Sequence, residues 1–126
     1  MSTTTKKISG FEFEIRNKNH ALVADVTPAD GGLDRGMSPH DLLESALSAC
    51  TAITVTMYAD RKKWPLKDIN VQVRIVKEGP QTEIERLIHL VGELTEEQRQ
   101  RLIEIANKCP LHKLLESQIH ILTSEN

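Results

Sequence analysis

The two cysteines are the residues of this sequence with the most distinctive chemistry. Cys50 lies within a long stretch that contains no helix breaker, and Cys109 stands directly before Pro110. A thiolate can attack the O–O bond of a peroxide, become a sulfenic acid and condense with a second thiol to form a disulfide. Each cysteine also has a plainer interpretation, Cys50 as a small apolar core residue and Cys109 as a helix-boundary residue. The residues alone leave both interpretations open.

The surroundings of Cys109 would suit a reactive thiol. Pro110 suits the first position of a helix, which puts the Cys109 sulfur beside unpaired backbone N–H groups and the positive end of the helix dipole. Both features stabilise a thiolate. His112 follows at a spacing that metal ligands also use, but zinc needs four ligands and the sequence offers no second pair. We therefore expect neither a metal nor a cofactor.

The composition is typical of one globular domain. The chain has 126 residues, of which 39% are apolar and 27% charged. We predict a single domain over residues 1–126, in which the polar residues 1–8 form a flexible leader. The net charge of −2 lacks the basic excess that binds nucleic acid or an anionic membrane, so neither is expected as a partner. The sequence has neither a membrane-spanning apolar stretch nor a secretion signal, which favours a cytoplasmic protein.

The element that carries Cys50 is a long predicted helix. Ser38 can cap its first turn, Pro39 suits its first position, and Pro65 ends it. Apolar side chains recur along it at steps of three and four residues, and its other faces carry mostly small residues. This pattern predicts a central helix that is buried over its middle turns. The recurring residues are Leu43, Ala46, Leu47, Cys50, Ile53 and Met57.

The remaining segments complete a mixed architecture. Alternation over residues 11–15 predicts a strand, the apolar run over 21–26 predicts a second one that pairs with it as a hairpin, and residues 27–36 predict a glycine-rich loop. The later elements are a strand over 69–76, a returning strand over 84–91, a helix opened by a Thr95 capping box, a short helix from 111, and a closing strand over 118–123. The predicted order is β-β-α-β-β-α-α-β, an α+β fold.

The motifs around both cysteines resemble the OsmC/Ohr family of thiol peroxidases. The resemblance extends from about residue 20 to the C-terminus and includes the glycines of the loop. Its most specific part is a long helix with one cysteine, followed far downstream by Cys-Pro. The motif residues are Ser38-Pro39-His40-Asp41-Leu42-Leu43, Ala46, Ala49 and Cys50, and the segment Ala106-Asn107-Lys108-Cys109-Pro110-Leu111-His112.

This resemblance implies a fold and a reaction. The fold is an intertwined homodimer in which the long helices lie buried between sheets. The reaction is the reduction of organic hydroperoxides, in which Cys50 attacks the peroxide, Cys109 resolves the sulfenic acid as a disulfide, and a dithiol returns the electrons. Apolar side chains beside Cys50 would form the pocket for a greasy peroxide. These predicted substrate-binding residues are Leu43, Leu47, Ile53 and Met57.

Two departures from the family pattern leave other functions open. Well-defined peroxidases of the family have Glu where this chain has His40, and they use an N-terminal arginine to hold the attacking cysteine as a thiolate. Arg16 and Arg35 are the candidates for that arginine, and His40 is a candidate proton partner. One alternative is a binding or redox-sensing protein that has lost efficient turnover. Another is a purely structural dimer with inert thiols.

Overall fold

The computed structural model describes residues 2–126 and has an α+β fold with two antiparallel sheets and three helices. The chain divides into two compact units, 1–44 and 45–126, and the boundary falls inside the long helix. That residues 1–126 form a single domain stays a prediction. In chain order the elements are β1 (Thr4–Ser9), β2 (Glu12–Asn17), β3 (His20–Ala24), α1 (Pro39–Lys62), β4 (Asp68–Lys77), β5 (Glu83–Val91), α2 (Glu96–Ala106) and α3 (Pro110–Leu115).

The first unit contains a three-stranded sheet in the order β1-β2-β3. Phe13 on the middle strand is paired with Lys7 on β1 and with Ala24 on β3. Met1 lies outside the described residues, and the prediction that residues 1–8 form a flexible leader was wrong from Thr4 onwards, because Thr4–Ser9 is the strand β1. Its β-branched threonines suit an extended backbone, and β2 supplies the ladder hydrogen bonds. All six residues of β1 are exposed, so the segment is polar and lacks the apolar alternation that would have predicted a strand.

A buried carboxylate organises the loop that follows β3. Asp25 Oδ1 accepts a 2.7 Å hydrogen bond from the backbone N–H of Val26, and Oδ2 accepts bonds from the backbone N–H groups of Leu33 and Arg35. The Val26 bond is the largest cause that holds the pKa of Asp25 below its usual range, against the opposing effect of burial. Gly32 is needed here because a Cβ at this position would lie 2.1 Å from the Val26 carbonyl oxygen.

The helix α1 begins and ends close to where its sequence signals predict. Ser38 Oγ accepts a 3.2 Å bond from the backbone N–H of Asp41, and Asp41 Oδ2 accepts one from the backbone N–H of Ser38. These reciprocal bonds satisfy two N–H groups that the first turn would leave unpaired. The helix ends at Lys62, and Lys63 then takes a left-handed φ of 59°.

The buried side of α1 differs from the predicted one. Leu47, Thr51, Val55 and Ala59, at a spacing of four, form its buried stripe. Ile53 and Met57 are 59% and 58% exposed, so burial of the helix is confined in this single chain to one stripe. Periodicity at three and four residues identified an apolar helix but could not tell which of two adjacent stripes packs against the sheet.

By length and composition alone, α1 is long and apolar enough to cross a membrane. An 18-residue window within Pro39–Lys62 has a mean hydropathy of 1.3. The core helices of soluble proteins meet the same criterion, so one such helix is weak evidence for a span. The predicted absence of a membrane partner therefore stays a prediction.

The second unit packs α1 and α2 around a hairpin. Strands β4 and β5 pair antiparallel, with Val71 opposite Ile88. The predicted capping box of α2 is confirmed, because Thr95 Oγ1 accepts from the Gln98 backbone N–H at 3.1 Å and the Gln98 side chain accepts from the Thr95 backbone N–H at 3.0 Å. The buried core of this unit consists of Val55, Ala59, Leu90, Leu102, Ile105 and Ala106.

The C-terminal segment after α3 corrects the predicted element order. Residues 118–123 do not form the expected closing strand, and among residues 2–126 no strand pairs with them. The apolar side chains of the segment are exposed, Leu122 by 94%. Alternation makes a segment suited to a strand, but a strand also needs a neighbouring edge for its backbone groups. The observed order is therefore β-β-β-α-β-β-α-α.

Candidate active site

Cys109 is a buried thiol at the start of α3. Its exposed fraction is 0%, and its Sγ accepts a 3.4 Å hydrogen bond from the backbone N–H of His112. Pro110 occupies the first turn, where its missing N–H leaves no helical bond unmade. The prediction that the Cys109 sulfur meets an unpaired N–H group at the beginning of a helix is confirmed.

Thr51 connects Cys109 to the helix that carries Cys50. The Thr51 Oγ1 lies 3.9 Å from the Cys109 Sγ and donates a 2.7 Å bond to the carbonyl of Leu47. Because Thr51 follows Cys50 directly in α1, the turn of helix that contains Cys50 contacts the Cys109 sulfur through Thr51. Cys50 is itself half-buried, and both cysteines are free thiols. Their pairing as a disulfide stays a prediction.

Arg86 of β5 lies at the centre of the polar contacts around Cys109. Its Nη1 donates to Thr51 Oγ1 at 3.1 Å and faces Cys109 Sγ at 4.0 Å. Its Nη2 donates to Asn107 Oδ1 at 2.8 Å and to His112 Nδ1 at 2.9 Å. One guanidinium thus joins side chains from α1, from the link after α2 and from α3.

Arg86 and Thr51 were not among the predicted site residues, and Asn107 was named only as part of the motif around Cys109. A signal for Arg86 was present, because β5 turns every second residue towards the core and Arg86 falls between the inward-facing Ile84 and Ile88. A charged residue at such a position needs partners in the interior. The sequence could not name those partners, since they come from three other segments.

A cavity of about 510 Å³ lies beside this cluster. Leu47, Ile84 and Leu115 contribute apolar surface to its lining, and Arg86 and His112 contribute polar groups. The cavity therefore has the mixed lining that is common in small-molecule sites. The His112 Nε2 also lies 3.1 Å from Glu116 Oε1, another lining residue.

Of the four predicted substrate-binding residues, Leu47 lines this cavity. Leu43, Ile53 and Met57 lie on the exposed side of α1 in the single chain. Their assignment to a substrate pocket stays a prediction.

The remaining predicted catalytic residues lie in the first unit. Arg16 Nε is 3.2 Å from Glu14 Oε1 on the same strand. Arg35 Nη1 is 3.7 Å from the buried Oε2 of Glu12. His40 is an exposed residue in the first turn of α1. A role for any of the three beside Cys50 stays a prediction.

A second cavity, of about 540 Å³, lies between the end of α1 and α2. Arg101 Nε donates a 3.1 Å bond to Tyr58 Oη, and this bond is the main cause that lowers the pKa of Tyr58 and raises that of Arg101.

Among residues 2–126, no group of three or more His, Cys, Asp or Glu side chains is arranged to hold a metal ion.

Comparison with protein families gives a match over most of the chain. The family model described as OsmC, OsmC-like protein, matches residues 31–124. A search of curated proteins found no significant match.

Solved structures with the same fold cover nearly the whole chain. An OsmC-like protein from Mycoplasma pneumoniae is 19% identical, with a TM-score of 0.79 over 91% of this chain and 86% of that one. An organic hydroperoxide resistance protein from Elizabethkingia anophelis is 20% identical, with a TM-score of 0.69 over 92% and 89%. One from Legionella pneumophila is 18% identical, with a TM-score of 0.64 over 92% and 90%. At these identities the likeness shows the fold.

Proposed function

Because this chain belongs to the OsmC family, we propose that it is a thiol-dependent peroxidase that reduces organic hydroperoxides through a Cys50 sulfenic acid and a Cys50–Cys109 disulfide. The observation that carries the proposal is the contact between Thr51 and Cys109, since it links the second cysteine to the turn of α1 that contains the first. The names of structural relatives, which include organic hydroperoxide resistance proteins, support the same class of substrate.

The proposed reaction uses two thiols in sequence. The Cys50 thiolate attacks one peroxide oxygen, the O–O bond breaks, and the products are Cys50 sulfenic acid and an alkoxide that takes a proton from solvent. The Cys109 thiolate then attacks the Cys50 sulfur, so that an S–S bond forms and the S–O bond breaks. The hydroxide that leaves is protonated to water. A dithiol reductant restores both thiols and is itself oxidised to a disulfide.

The cavity beside Cys109 supports an organic rather than an inorganic peroxide. Its aliphatic residues, Leu47, Ile84 and Leu115, would favour an alkyl substituent over hydrogen peroxide because that substituent loses its contact with water there. We propose that Leu43, Ile53 and Met57 extend this apolar surface when a second chain covers α1.

We further propose that the protein acts as a cytoplasmic homodimer. The exposed apolar side of α1, with Ile53 and Met57, supports the dimer because such surface is normally covered. Arg16, Arg35 and His40 are proposed to assist Cys50, with His40 standing where other family members have Glu.

The direct test measures hydroperoxide consumption in the presence of a dithiol. Cys50→Ser should reduce consumption to the uncatalysed rate, because the hydroxyl is a far weaker nucleophile than a thiolate. Cys109→Ser should still form a Cys50 sulfenic acid but no intramolecular disulfide. Ala52→Ser, which adds the same hydroxyl two residues later on α1, is the matched control and should retain activity. Equal rates for the wild type and Cys50→Ser would rule out the proposal.

A second candidate function is redox sensing with little turnover. His40 favours it, because the residue at that position of α1 is not the carboxylate of the well-defined peroxidases. A sensor would form the Cys50–Cys109 disulfide once with stoichiometric peroxide and would not be reduced again by dithiols at a useful rate. Repeated turnover with excess dithiol excludes this candidate.

A further inference from the structure

Arg86 is a charged residue on the inner face of a hairpin strand. Its neighbours on that face, Ile84 and Ile88, are aliphatic, and Leu90 further along is part of the buried core. Placing a guanidinium there removes it from much of its water, which is unfavourable unless protein groups replace the lost hydrogen bonds and charge. The protein groups that contact Arg86 are therefore the ones that replace its lost water.

Four groups surround the half-buried guanidinium of Arg86. Thr51 offers a hydroxyl, Asn107 an amide and His112 a ring nitrogen, all of which accept hydrogen bonds from it. The fourth group is the Cys109 sulfur, 4.0 Å from Nη1. These contacts fix the place of the Cys109 sulfur relative to α1 and α3, and Arg86 is common to all of them.

His112 contacts both Arg86 and the Cys109 sulfur. Arginine can only donate hydrogen bonds, so Nδ1 of His112 must be the acceptor in the 2.9 Å contact with Nη2. Nε2 of the same ring faces Glu116 Oε1 at 3.1 Å. The same residue directs its backbone N–H at the Cys109 sulfur at 3.4 Å. The sulfur therefore has two N–H donors, from Arg86 and from His112.

We propose that Arg86 is a positioning residue that holds the Cys109 sulfur in place for attack on the sulfenic acid of Cys50. This role rests on the proposed peroxidase function. In the step it assists, Cys109 Sγ bonds to the Cys50 sulfur, the S–O bond breaks, and the hydroxide takes a proton from solvent. The Arg86–Thr51 bond ties the same guanidinium to the residue after Cys50, so one side chain connects the Cys109 sulfur to the turn of α1 that contains Cys50.

One experiment separates the two steps of the cycle. Reduced protein is mixed with one equivalent of an alkyl hydroperoxide without reductant, and Cys50 sulfenic acid and the disulfide are followed over time by mass spectrometry with a sulfenic-acid probe. Arg86→Met should form the sulfenic acid at the wild-type rate but close the disulfide about tenfold more slowly or worse. Arg86→Lys, which keeps the charge but not the planar fork, should be intermediate. Arg74→Met, which removes an exposed arginine of the paired strand β4, should match the wild type.

Three results of this experiment would overturn the proposal. One is disulfide formation at the wild-type rate in Arg86→Met. Another is an equal slowing of both steps, which would indicate a general structural role. The third is the failure of Arg86→Lys to recover any of the lost rate.

The same experiment separates the role of Arg86 from the proposed peroxidase function. Wild-type protein that forms no Cys50 sulfenic acid with the alkyl hydroperoxide would reject the peroxidase function. Wild-type protein that forms the sulfenic acid, together with disulfide closure that does not depend on Arg86, would reject the role of Arg86 alone.

Discussion

The side chains around Cys109 form a cluster in which each hydrogen bond depends on another. Thr51 is fully buried, and its hydroxyl both donates to the Leu47 carbonyl and accepts from Arg86. A hydroxyl in this position fixes the guanidinium relative to α1. The energetic contribution of such a group is measured best by an isosteric change that removes the oxygen alone.

Thr51→Val should destabilise the protein by about 1–3 kcal/mol, because the substitution leaves an N–H donor of Arg86 without its acceptor. The free energy of unfolding from urea titration measures this loss. Thr56→Val, the same change at a half-buried position further along α1, is the control and should lie within about 0.5 kcal/mol of the wild type. Equal effects of the two substitutions would show that the Thr51 hydroxyl does not stabilise the cluster.

The elements of this fold are held by end caps and by one packed face each. The helix α2 shows both, with the capping box at Thr95 and an apolar side that includes Leu102, Ile105 and Ala106. Leu102 is 0% exposed, so it should make the largest contribution of α2 to the stability of the second unit. The loop after β3 is held differently, by backbone bonds to the Asp25 carboxylate.

Leu102→Ala should reduce the free energy of unfolding by about 2–5 kcal/mol, since the substitution removes buried methyl groups and leaves a cavity. Leu114→Ala on α3 removes the same atoms from an exposed side chain and should cost less than about 0.5 kcal/mol. Urea denaturation of both variants tests the difference. A small loss for Leu102→Ala would mean that α2 is not anchored through this residue.

Asp25 should make stability depend on pH in the acid range. Its pKa is lowered in the folded protein, chiefly by the Val26 N–H bond, so its contribution is fully present above the ordinary value of 3.8. The contribution should be lost as the pH falls below about 4 and passes the folded pKa. The difference in urea midpoint between the wild type and Asp25→Asn should therefore shrink in acid. Asp34→Asn, in the same loop, is the control, and a difference for Asp25→Asn that is constant with pH would contradict the prediction.

At the scale of the whole molecule, one chain leaves apolar surface uncovered. The exposed side of α1 carries Ile53 and Met57, and the C-terminal segment exposes Ile121 and Leu122. Surface of this kind on a soluble protein usually marks an interface. A second copy of the chain is the occupant that the proposed homodimer provides.

Ile53→Glu should convert the proposed dimer to a monomer, because the interface would have to bury an unpaired carboxylate. Light scattering after size exclusion should then give the mass of one chain, 14.2 kDa, instead of twice that value. Gln100→Glu adds the same charge at an exposed position of α2 and should leave the dimer intact. A wild-type protein that elutes as a monomer would refute the homodimer.

The sequence by itself determined the features that depend on neighbours along the chain. The Ser38 cap, the Thr95 capping box and the Cys109-Pro110 helix start were all readable because each joins groups within one helical turn. The same holds for the alternation that predicted β4, and for the β-branched residues and the preceding turn that predicted β5. These local patterns, together with the family motifs, were sufficient for the α+β fold and for selecting both cysteines.

Only the tertiary structure decided which side chains meet. It selected the stripe with Thr51 as the buried side of α1, and it brought Arg86 from β5 to the Cys109 sulfur. It also left residues 118–123 without a strand to pair with in the described chain. Such contacts depend on how a strand packs against two helices. The partners in each contact lie far apart in the sequence. No local sequence pattern carries that information, because the same residue type is compatible with many environments. Only the packing of the folded chain determines which environment it has.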